Sequence, residues 1–112
     1  MRDAENIRNS EAVVLIATKI NTLGLKICGL CGMTNCETKN KHHQTPCFFN
    51  ANDMGIAIGS AVSIAADNRI DNRIMYTVGM SAKELNFFAN EVHIIVGIAL
   101  SVSGKNIFFD RK

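Results

Sequence analysis

All four cysteines of this chain fall between residues 28 and 47, spaced C-x2-C-x4-C-x10-C as Cys28, Cys31, Cys36 and Cys47. This spacing constrains the fold more than any other feature. Thiolates that wrap a compact inorganic core must converge from several sides, so short gaps of two to four residues are followed by a farther cysteine that closes the site. A segment doing this cannot follow a regular helical or strand period, and residues 28–47 show neither. They hold Gly29, Gly32, His42, His43 and the only proline, Pro46. A structureless loop of this length inside a small domain is usually functional or disordered, and the cysteines point to function.

Three readings of the cysteines stand. An iron–sulfur cluster, most simply 4Fe–4S, suits four thiolates at these gaps, although plant-type ferredoxins place the x4 gap before the x2 gap. A structural zinc ion also accepts four thiolates, but zinc sites more often show two C-x2-C pairs and here there is one. A redox dithiol could be built on Cys28-Gly29-Leu30-Cys31. The single pair favours the cluster. Glycines beside Cys31 permit tight turns, and Lys26, Lys39 and Lys41 are placed to offset thiolate charge. Adjacent His42 and His43 cannot easily reach one ion together, so they read as solvated.

Clustered cysteines are more often ligands than disulfides where thiols stay reduced. No basic patch followed by an apolar run opens the chain. The longest uncharged apolar run, Met54 to Ala66, has 13 residues, short of the roughly 20 that cross a bilayer. These features read as a soluble, cytoplasmic protein with no membrane partner. The net charge is +2, and no basic–aromatic interleaving suggests a nucleic-acid partner.

The 112 residues fit one domain, 1–112. Residues 2–11 read as a short helix or arm. The apolar, β-branched runs 12–17 and 92–98 read as buried strands. Asn50, Asn52 and Asp53 are N-cap candidates for a helix through Ala66. Its apolar composition predicts burial nearly all round. Gly55, Gly59 and Ser63 on that helix form a stripe that lets another backbone approach, which allows a homodimer. The tetrapeptide Asp67-Asn68-Arg69-Ile70 recurs as Asp71-Asn72-Arg73-Ile74. As one helix it would stack like charges, so a turn near 67–71 and a second helix from Asp71 to Asn86 are expected. The whole reads as an α/β or α+β layered domain with a cysteine loop and two central helices. His93 reads as a strand histidine. Gly104-Lys105 lacks the first glycine of a P-loop, since residue 99 is Ala99. No catalytic set emerges, and whether the chain is an enzyme stays open.

Several of these segments resemble a family. Arg2–Ser10, Cys28-Gly29-Leu30-Cys31-Gly32, Gly55–Ser63, Asp71–Tyr76 and Ser101–Asn106 together look like the uncharacterised ferredoxin domain-containing proteins of bacteria and archaea. The resemblance implies a ferredoxin-like cluster at Cys28, Cys31, Cys36 and Cys47; a cluster on these cysteines reads as serving electron transfer to a redox partner protein or redox sensing. It implies no established reaction. Family members usually carry a further N-terminal segment, which would make this chain a truncated or short form, and they tend to have proline where this chain has Ala99 and Ile107. The first three cysteines are also similar to the cluster motif of corrinoid iron–sulfur proteins and electron-transport complex subunits. The second half is similar to flavin-dependent nitroreductases, which implies an FMN-binding scaffold.

Overall fold

The computed structural model describes residues 2–110. Across them it is a mixed α/β fold of four helices and three strands. The order is α1 (Arg2–Asn9), β1 (Ala12–Lys19), α2 (Cys36–Lys39), α3 (Phe48–Asp67), β2 (Asp71–Met75), α4 (Tyr76–Glu84) and β3 (Val92–Ser101). The strands pair antiparallel in the order β1-β3-β2. The apolar run 92–98, read as a buried strand, takes the central position in the sheet, and its pairing extends to Ser101.

Two expectations are corrected at the sheet. Residues 12–17 form a strand, but an edge one that leaves Val13 and Val14 exposed. Its β-branched residues fit a pleated surface whether or not anything covers it. The second correction concerns Asp71, which begins β2 rather than a helix. Three of the five β2 residues are polar or charged, so no apolar alternation marks it. Its conformation comes from the open edge of β3, which supplies the missing hydrogen-bond partners.

The core lies on one face of the sheet. Antiparallel register puts Leu15, Gly97 and Met75 in one row and Val13, Ala99 and Arg73 in another. Met75, Ala99 and Phe108 form the buried cluster, with Ile7, Val78 and Ile107 packed against it. The aromatic tail therefore acts as an anchor, and Arg73 Nη1 fixes it by donating to the Phe108 carbonyl at 2.8 Å. Helix α4 lies directly on β3. A Cβ on Gly79 would overlap the Ile95 carbonyl, and one on Gly97 would overlap the Val78 side chain. At the other end of the chain, Thr77 Oγ1 donates to Asp3 at 2.7 Å and pins α1 to α4.

Helix α3 departs from expectation. It starts at Phe48 with Cys47 as N-cap, ahead of the N-cap candidates Asn50, Asn52 and Asp53, with Pro46 just outside it. It reaches all three strands, yet only Met54 and Ala65 are buried, and Ile56 remains 65% exposed. A methyl group added at Gly55 or Gly59 would meet nothing within 4 Å, so no described element of the chain occupies the small-residue stripe. The radius of gyration, 16.6 Å, exceeds the roughly 13 Å of a compact chain this long. Among the described residues no helix is long and apolar enough to cross a membrane.

Candidate metal centre

The cysteine segment leaves β1 and returns to the sheet through α3. Its glycines take left-handed conformations, with φ +71° at Gly29 and +90° at Gly32, which L side chains rarely adopt. The Gly32 amide closes the turn onto the Gly29 carbonyl at 3.0 Å. Asn35 caps α2 by accepting from the Thr38 amide at 2.8 Å, so Cys36 opens that turn. Two longer-range bonds tie the segment down. Thr22 Oγ1 donates to Asn40 Oδ1 at 3.1 Å, and the Asn21 amide donates to Asn50 Oδ1 at 2.7 Å. Asn50, read from the sequence as a cap, is thus a helical residue that anchors the exit of β1.

All four cysteines are free and line one small cavity. Cys47 is buried, and Cys28, Cys31 and Cys36 are half-buried. Leu23, Leu25 and Phe48 supply apolar wall, and among the described residues no carboxylate lines the cavity. Among those same residues no three His, Cys, Asp or Glu side chains converge closely enough to hold a single ion. The four cysteines share the cavity as lining residues.

The electrostatics are one-sided. Cys47 stands at the N-terminus of a 20-residue helix whose first turn carries no acidic residue. The positive end of the helix dipole lies at this residue. Lys39 lines the same cavity and is 2% exposed, whereas Lys26 and Lys41 stand in solvent. Nothing in the sequence separates these three lysines, apart from the three-residue step from Cys36 that puts Lys39 one helical turn away. His42 and His43 are exposed, as read from the sequence, and the His42 backbone meets Lys39 twice, its carbonyl accepting from Lys39 Nζ at 3.3 Å and its amide donating to the Lys39 carbonyl at 2.8 Å. His93 lies on the central strand in the groove beside α4, apart from the cysteines.

Comparison with known proteins finds similarity for the chain as a whole. An uncharacterized protein of Archaeoglobus fulgidus is 40% identical over 119 aligned positions, covering 99% of this chain and 63% of that protein. The chain therefore spans less than two thirds of the relative's length. No solved structure matches the chain. Residues 43–111 match the model of a family described as uncharacterized protein containing a ferredoxin domain (DUF2148). That segment includes Cys47 and the whole of α3, β2, α4 and β3, and the alignment with the archaeal protein runs through the remaining cysteines as well. By this match, and by the fold it spans, the chain belongs to the family of uncharacterized proteins containing a ferredoxin domain.

Proposed function

We propose that Cys28, Cys31, Cys36 and Cys47 hold an iron–sulfur cluster of the 4Fe–4S type, and that the chain serves in electron transfer or redox sensing. The observation that carries this reading is the shared cavity: four free thiols, apolar walls, a buried lysine and no carboxylate among its described lining. Such a donor set is soft and suits thiophilic iron. The family's description as containing a ferredoxin domain agrees with this chemistry.

When bound, the cluster would accept and release single electrons. The chain's own residues would do the rest. Gly29 and Gly32 let the backbone turn closely around Cys31, Leu23 and Phe48 give the cavity apolar lining, and the α3 N-terminus brings the positive end of its dipole to Cys47. Anaerobic purification and reconstitution tests the proposal. Iron and acid-labile sulfide in equal amounts, with broad visible absorption, are expected, and Cys→Ser at any of the four positions should lower cluster content. A colourless protein with stoichiometric zinc would overturn it. Flavin retained by the same preparation would bring the nitroreductase-like reading forward instead.

A further inference from the structure

Lys39 is an anomaly by the usual rules of burial. Lysine is almost never fully buried unless paired, because an ammonium group removed from water needs compensating charge. Here the side chain is 2% exposed. Among the described residues its one hydrogen bond is to the His42 carbonyl at 3.3 Å, although an ammonium group has three donors. The ion pairs among those residues are Arg2–Asp3, Lys19–Glu91 and Lys105–Asp110, and Lys39 is in none of them. What the lysine does share is a cavity with four cysteines.

We propose that Lys39 is the built-in counter-charge of the cysteine site, a positioning residue whose ammonium group stabilises thiolate-bound metal and, most strongly, the reduced cluster. This rests on the metal-binding reading of the four cysteines. The physical reason is the burial of Lys39 itself. A buried charge acts on its neighbours with little screening, whereas Lys26 and Lys41 act through water and salt. Reduction adds a negative charge to the cluster, so a fixed positive charge beside it favours the reduced form. A carbonyl partner leaves the ammonium charge uncancelled and available to the sulfurs.

The test compares wild type with Lys39→Met, Lys39→Arg and the exposed control Lys41→Met, reconstituted under anaerobic conditions and followed by mediated redox titration. Lys39→Met is expected to lower the reduction potential by at least the equivalent of a tenfold change in the oxidised-to-reduced ratio, about 59 mV for one electron. Lys39→Arg should stay near wild type, and Lys41→Met should move far less than Lys39→Met. In a second measurement, Co(II) titration against a chelator, Lys39→Met should bind about tenfold more weakly. A merely structural lysine predicts something else: equal potentials and cobalt affinities in every variant that keeps its far-UV circular dichroism. That result overturns the proposal. Should Lys39→Met fail to fold, Lys39→Gln carries the same comparison. A wild-type protein that binds cobalt but no cluster sinks the cluster reading alone and leaves Lys39 to be judged on the cobalt arm. One that binds neither sinks both.

Discussion

Helices α3 and α4 connect to the same sheet and both carry glycines, yet the two sets of glycines do different things. On α4, Gly79 lies so close to β3 that an added Cβ would overlap the Ile95 carbonyl. On α3, Gly55 and Gly59 have open space around them, and Ile56 and Ile64 project from the same helix largely exposed. The longer and more apolar helix is the less buried one. A small residue permits close approach but does not cause it. Packing follows only where a second backbone is delivered to that spot, and β3 is delivered to α4 by its pairing with β2, the strand that leads directly into the helix.

The comparison breaks most readily at Gly79. Gly79→Ala should cost about 3 kcal/mol or more, because the methyl group meets backbone that cannot move aside. Chemical denaturation with an unchanged slope and a lower midpoint would show it. An Ala variant within error of wild type would mean that α4 does not sit on β3 as described.

A smaller effect is expected where α1 joins α4. The Thr77 hydroxyl, with Arg2 beside it, holds the Asp3 carboxyl below the usual carboxylate range. A carboxyl whose folded value is depressed stabilises the protein above its unfolded value of about 3.9, and that stability is lost as pH falls through the folded value. Thr77→Val should therefore lower stability by roughly 1 kcal/mol near neutral pH. The difference should shrink as pH falls from the unfolded value through the depressed folded value of Asp3, and be gone once the carboxyl is protonated in both states. Thermal melts across that range decide it, and a pH-independent difference would assign the loss to packing instead.

The smallest effects belong to α3. Gly59→Ala should raise stability by roughly 0.5 kcal/mol, since helix propensity improves with nothing to clash against. Ile56→Ser should change it by less than about 0.5 kcal/mol, as expected of an exposed site. Larger losses in either variant, accompanied by a change in sedimentation coefficient, would show that a second copy covers this face in solution.

The turns of the cysteine segment were more legible in the sequence than the packing around them. Cysteine spacing and flanking glycines are local facts, and Gly29 and Gly32 do adopt the left-handed turns that their position suggests. What could not be read was which charge faces the cysteines. Lys26, Lys39 and Lys41 look alike along the chain, and only the packing around the α2 turn buries the middle one. The apolar run 54–66 was legible as a helix but not as an exposed one, because composition records what could be buried and not what arrives to bury it.

The duplicated tetrapeptide draws this line most sharply. Asp67-Asn68-Arg69-Ile70 closes α3 and turns through Arg69 at φ +59°, while Asp71-Asn72-Arg73-Ile74 is strand. By itself the sequence determined that both copies could not continue one helix, since like charges would stack along it. It also determined the cysteine loop, through spacing and glycine chemistry that no distant contact alters. That the second copy becomes a strand was decided by tertiary structure alone. The free edge of β3 offers backbone hydrogen bonds to whichever segment reaches it, and residues 71–75 are the ones that do.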